Sequence, residues 1–94
     1  MAVTVLIKRK VSPGKEILLE ELYREMRSAA LNEKGYIGAE TLKRVDVPGE
    51  MLIISKWQEI DDWSKWLVSK KRMAYQERID SLTSPETKFE IYTH

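Results

Sequence analysis

The side chains able to do chemistry crowd one stretch, residues 51–76, which holds all three tryptophans. Trp57 ends an apolar run where a strand gives way to a helix, a place where a side chain can line a pocket. Trp63 and Trp66 are three residues apart and share a helix face. Arg72 and Tyr75 have the same spacing, so the two could share a substrate. A guanidinium clamps an anionic oxygen through paired N–H donors. A phenol can donate or accept a proton, although its ordinary pKa near 10 makes it a poor base at neutral pH. Trp57, Arg72 and Tyr75 are therefore the candidate catalytic groups, and Trp63 and Trp66 the candidate apolar walls. Each also has a structural reading. Large aromatics dominate small cores, Tyr75 suits a half-buried helix position, and Arg72 can pair with a carboxylate across an interface.

Other chemistries lack their residues. There is no cysteine, and the single histidine, His94, is the last residue of the sequence. Disulfides, thiolate metal sites and Ser-His-Asp catalysis therefore have no candidates. No glycine-rich phosphate loop is present. Asp61-Asp62 has no histidine beside it and stands where a helix starts, which favours capping over metal binding. Lys70-Lys71-Arg72 reads as a solvated helix start and Lys8-Arg9-Lys10 as a strand end reaching water. Sixteen basic residues against fifteen acidic ones leave a net charge of +1. Such a balance creates no field that would gather nucleic acid or an anionic membrane surface. The N-terminal stretch has no basic region ahead of its apolar part, so a signal peptide is not expected. No apolar run nears the ~20 residues of a membrane span, and a cytoplasmic location follows as the default.

The elements that position these groups read in order. Residues 2–11 form a strand with apolar residues on both faces. Ser12-Pro13-Gly14-Lys15 starts a helix, with Ser12 as its cap and Pro13 in its first position. That helix runs to about residue 32 with Leu18, Leu19, Leu22, Met26, Ala29 and Ala30 as its stripe, and Gly35 closes it in a left-handed conformation. Residues 36–46 form a charged edge strand with a bulge at Gly38. A turn over residues 47–50 leads to a third strand, 51–57, again apolar on both faces. A helix opens at Glu59. Ser69 breaks it and caps a second helical segment over residues 70–82, where Tyr75, Ile79 and Leu82 share a face. Ser84-Pro85 breaks the chain before a last strand at 88–93. The order β-α-β-β-α-β is the ferredoxin-like plan, an α+β fold with an antiparallel sheet, in one domain over residues 1–94. Helices cover one sheet face. Strands apolar on both faces then require a second copy over the other, which predicts a homodimer.

Several segments together resemble the antibiotic biosynthesis monooxygenase family: S-P-G-K-E, G-Y-I-G-A-E, V-P-G-E, I-S-K-W and D-W-x-x-W-L-x-S-x-x-R. The resemblance implies a dimeric α/β barrel with a pocket between helices and sheet in each subunit. It also implies oxygenation without metal, flavin or other cofactor, in which an electron-rich anthrone or quinol is deprotonated and reacts with O₂ itself. Relative to the anthrone-oxidising branch, Trp57 matches a pocket Trp and Trp63 replaces a Tyr. Ile53 replaces an Asn, and Glu77 stands where that branch has Arg. Relative to a haem-opening branch, Trp66 matches a Trp, Gln76 stands in place of the axial His and Ile7 in place of an Asn. Without its iron ligand, haem chemistry is not expected. Ile53 and Gln76 join Trp63 and Trp66 as candidate substrate-binding positions. Two functions follow: a cofactor-independent monooxygenase acting on a small aromatic, or a small-ligand-binding, stress-related dimer without catalysis.

Overall fold

The computed structural model describes residues 1–84 and 88–94. Its elements are β1 (Val3–Lys10), α1 (Glu16–Ala30), β2 (Tyr36–Lys43), β3 (Glu50–Trp57), α2 (Ile60–Leu67), α3 (Lys70–Asp80) and β4 (Lys88–Thr93). The strands form one antiparallel sheet in the order β2-β3-β1-β4. This is the expected α+β, ferredoxin-like plan, with the second helix divided in two.

Strand alternation builds the core. Val3, Val5, Ile7 and Arg9 point to the helix side of β1, opposite Trp57, Ser55, Ile53 and Met51 of β3. All eight are buried. Period two therefore carries Arg9 inward with its apolar neighbours, and the expected solvent-reaching Lys8-Arg9-Lys10 is corrected at its middle residue. Inside, Arg9 Nη1 lies 3.3 Å from both Asp80 Oδ1 and Thr83 Oγ1. Arg72 corrects the neighbouring expectation in the same way. It belongs to the basic triplet that opens α3, yet it is buried while Lys70 and Lys71 are exposed.

α1 starts later than its sequence suggests. The Ser12 carbonyl accepts the Lys15 N–H at 3.1 Å, and Gly14 has φ +79°. Pro-Gly at the centre of this turn matches a type II geometry, and no side chain caps the helix. The buried stripe is Leu19, Leu22, Tyr23 and Ala30, whereas Leu18 is 48% exposed. Tyr23 lies four residues after Leu19 and three before Met26, so it continues the same face.

At the far end of α1, Gly35 has φ +80°, and a Cβ there would overlap the buried Asp62 carboxylate of α2. This close approach lets the Gly35 carbonyl accept the Gln58 N–H at 2.7 Å, which ties the start of β2 to the end of β3. β2 is the expected edge strand, and its register shifts between Tyr36 and Gly38. Ser69 does separate α2 from α3. Its Oγ accepts the Arg72 N–H at 3.1 Å. Pro85, the expected breaker, lies outside the described residues.

The helices pack over β2 and β3. On β4, Phe89 and Ile91 face the same side but remain 42% and 44% exposed. The opposite sheet face carries Leu6, Leu52 and Ile54, all half-buried, with Leu42 and Tyr92 exposed beside them. Among the described residues, no helix is long and apolar enough to cross a membrane.

Candidate functional site

Between α1, α2, α3 and the sheet lies a cavity with an aromatic and apolar lining. Ile7, Ile53 and Ser55 of the sheet form its floor. Tyr23 and Ala30 come from α1, Trp63 and Trp66 from α2, and Arg72 from α3. These eight are buried, whereas Met26, Arg27, Tyr36, Ala39 and Thr41 are half-buried and form a mouth between α1 and β2. The void it encloses is about 40 Å³, well short of the ~150 Å³ of a void that holds one benzene ring, so a ring enters only if the half-buried mouth opens.

Four of the seven sequence-predicted site residues meet here: Ile53, Trp63, Trp66 and Arg72. Trp57 stands behind the wall. It is fully buried, and its indole N–H donates to Ser55 Oγ at 2.7 Å. Its ring centroid is 5.2 Å from Tyr36 and 6.2 Å from each of Trp63 and Trp66. In that position it fixes the walls and holds Ser55 without touching the void. Tyr75 is half-buried against the core and lines no part of this cavity. Gln76 lies in a second, outer groove with Arg9, Asp80 and Phe89, and its Nε2 donates to Asp80 Oδ1 at 2.7 Å. Arg72 lines both spaces and divides them.

The electrostatics of the cavity are one-sided. Among the described residues its lining includes two arginines, Arg27 and Arg72, and no carboxylate or histidine. Arg27 Nη1 donates to Thr41 Oγ1 at 2.9 Å across the mouth. Arg72 is 5% exposed. Its Cζ lies 5.6 Å from the Trp63 ring centroid and 5.8 Å from that of Phe89, within cation–π range. Its one side-chain hydrogen bond among the described residues runs from Nη1 to the Leu67 carbonyl at 3.4 Å. Burial, and then the like charge of Arg9, pull its pKa down to about 10. It therefore stays a cation at neutral pH.

Tyr23 was not a candidate from sequence. It is 3% exposed, and its hydroxyl has no hydrogen-bond partner among the described residues. Burial pushes its pKa up to about 12, against the pull of the Arg9 and Arg72 charges. Tyr36, at the mouth, is raised by burial and opposed by Arg27. Neither phenol is a base near neutrality. The signal that could have found Tyr23 was its place on the α1 stripe, four residues after Leu19. Ser55, Thr41 and Arg27 had no signal, because only the strand register and the α1–β2 crossing bring them to the void.

Solved structures share this fold. A conserved protein from Methanosarcina mazei superposes with TM-score 0.89 at 20% identity, covering 98% of this chain and 91% of that one. SnoaB, a cofactor-independent oxygenase from Streptomyces nogalater, gives 0.88 at 15% identity, covering 99% and 92%. Rv0793 from Mycobacterium tuberculosis gives 0.86 at 15%, covering 100% and 95%. At these identities the likeness is one of fold. No curated protein sequence matches the chain closely enough to count as a relative. The family model described as antibiotic biosynthesis monooxygenase matches residues 2–78, which span strands β1 to β3 and most of the helical layer, so the chain belongs to that family.

Proposed function

We propose that this single domain is a cofactor-independent monooxygenase that brings O₂ to a small aromatic or quinol-type substrate in the cavity between α1 and the sheet. The observation that carries this reading is the cavity itself: aromatic walls and donor groups behind a half-buried mouth. Family membership supports it. So does the fold shared with SnoaB, whose name records a cofactor-independent oxygenase.

In the corresponding reaction a phenol or quinol with a free ring C–H first loses its O–H proton to water. The resulting anion adds O₂, and the adduct is protonated to a hydroperoxide. Loss of water then breaks the O–O bond and leaves C=O. One oxygen atom ends in product and the other in water, and the substrate supplies both electrons and both hydrogens. Arg72 stabilises the anion as its charge forms. Trp63, Trp66 and Ile53 hold the ring and keep water from it. Trp57 acts by positioning Ser55 and the other two indoles. Tyr75 and Gln76 have no direct contact with substrate in this scheme.

A homodimer completes the molecule. A second copy packs on the open sheet face, where Leu6, Leu42, Leu52, Ile54 and Tyr92 need cover.

Oxygen-electrode assays with substituted one-ring phenols and quinols test the activity. Uptake above the rate of spontaneous oxidation, cut at least tenfold by Arg72→Met in a folded protein, is the expected result. Tryptophan quenching by the same compounds without any uptake would instead establish the second reading, a ligand-binding dimer without catalysis. One observation favours that alternative: among the described residues, no side chain lining the cavity is an effective base at neutral pH.

A further inference from the structure

The void is too small for a ring, so a substrate reaches Trp63 and Trp66 only when part of the lining moves. Most of the lining is fixed. Ile7, Ile53 and Ser55 stand on β1 and β3, the two central strands, each paired on both sides. Trp63 and Trp66 are buried against Trp57, itself fully buried. The mouth is different. β2 is an edge strand with a single neighbour, and its pairing with β3 is interrupted between Tyr36 and Gly38. Ala39 and Thr41 lie opposite Ser55 and Ile53 in the register, so they form the rim beside the floor. Facing them on α1 are Met26 and Arg27, both half-buried. An unbranched Met side chain repacks readily. Two polar ties cross the gap from α1 to β2: Glu20 pairs with Lys43, and Arg27 Nη1 donates to Thr41 Oγ1 at 2.9 Å. They stand two helical turns apart on α1. The Lys43 side chain is 61% exposed, and pairs so exposed hold little. The Arg27 bond is half-buried and charge-assisted, and both its partners line the void. Among the described residues Thr41 is the one side chain that holds the Arg27 guanidinium.

We propose that Arg27 is the latch of this cavity and so decides what enters it. Its bond to Thr41 holds the mouth shut over a nearly filled void. When the bond breaks, the Arg27 and Met26 side chains swing off the rim and a ring passes between α1 and β2. When it re-forms, the ring is sealed from bulk water. A protein that is open only part of the time binds with its affinity reduced by that fraction. Closure over the ring then excludes water from the reaction. Arg27 thus acts on the path of the substrate and not on its reacting atoms. The inference deepens the oxygenase reading and rests on it in one respect only, that the sealed ring is the species that meets O₂.

Acrylamide, a small neutral quencher of indole fluorescence, tests the mouth without any substrate. All three tryptophans are buried, so the wild type should be quenched slowly. Thr41→Val keeps the branched shape and removes the acceptor. Arg27→Met keeps most of the stem and removes the donor. Each should speed quenching severalfold, with circular dichroism showing an intact fold. Lys43→Ala removes the outer tie and should leave quenching at the wild-type rate. The second readout is the oxygen electrode with the one-ring phenols. Thr41→Val should lower KM and kcat together, because the open form binds more readily and seals less often. Equal quenching in the wild type and both folded variants overturns the proposal, as does a Lys43→Ala effect as large as theirs, or a KM that Thr41→Val leaves unchanged. Faster quenching in the two variants without oxygen uptake on any phenol leaves the latch standing and removes the oxygenase reading. Oxygen uptake with quenching unchanged by both variants does the reverse.

Discussion

Tyr23 and Arg72 face the same problem at the bottom of the cavity: each is a polar group taken out of water without a full set of partners. Their ionisation records it. Tyr23 has a folded-state pKa near 12, above the value near 10 of an unfolded chain. The protonated phenol therefore favours the folded state below pH 10, and that contribution is lost as pH rises from 10 to 12. Tyr23→Phe has no such loss. Chemical denaturation at pH 8 and pH 11.5 should show the wild type losing on the order of 1–2 kcal/mol relative to Tyr23→Phe. Arg72 shifts the other way and its charge couples to the Tyr23 phenolate, so the same pair compared in an Arg72→Met background isolates the Tyr23 contribution. A constant difference between the two across that range would mean that Tyr23 titrates normally. Gly35 makes a separate residue-scale prediction. Its φ of +80° and its contact with Asp62 leave no room for a methyl group. Gly35→Ala should destabilise the fold by about 2 kcal/mol or more, read from the denaturation midpoint. At this scale the sequence was informative where chemistry and spacing coincide, as at Arg72 and Trp63. It misled where a charged residue is carried inward by the period of its element, as at Arg9. It was silent where a neighbour distant in sequence decides the role, as with Ser55 beneath Trp57.

The elements were the most legible scale. Short apolar runs bounded by proline and glycine turns gave the order of strands and helices along the chain, and Ser69 between two helical runs gave the break. The start of α1 failed because Ser12-Pro13-Gly14-Lys15 satisfies two patterns at once. It can begin a helix or make a tight turn, and the positive φ of Gly14 decides for the turn. The Ser69 cap matters beyond the helix it starts. By accepting the Arg72 N–H at 3.1 Å it fixes the first turn of α3, and with it the side chain that divides the cavity from the outer groove. Ser69→Ala should cost about 1 kcal/mol in stability. It should also loosen ligand binding more than a cap substitution elsewhere would, because the guanidinium loses its placement. A fall in melting temperature with unchanged quenching by the one-ring phenols would separate the cap from the site.

For the whole molecule, the open sheet face is the feature that the chain's own helices leave unexplained. Leu52 and Ile54 sit at its centre beside Leu6, rimmed by Glu40, Lys8 and Lys56. Packed against a second copy, this face becomes the interior of a barrel. Light scattering should report a dimer for the wild type. For the doubly charged variant Leu52→Glu with Ile54→Glu it should report a monomer that retains its helical signal. A wild-type monomer at micromolar concentration would refute the dimer. The sequence pointed to this face through strands apolar on both sides, but it could not give the size of the cavity. That depends on how side chains from α1, the sheet and the other helices, distant in sequence, pack around the void. The same dependence supplies a direct test. Ala39 stands at the half-buried mouth, so a larger side chain there fills the void with little disturbance of the core. Oxygen uptake on a one-ring phenol, compared between the wild type and Ala39→Leu with matched circular dichroism, addresses the central claim. Uptake by the wild type and its near-complete loss in Ala39→Leu is the expected result; no uptake by the wild type, or equal uptake by both, would overturn the claim.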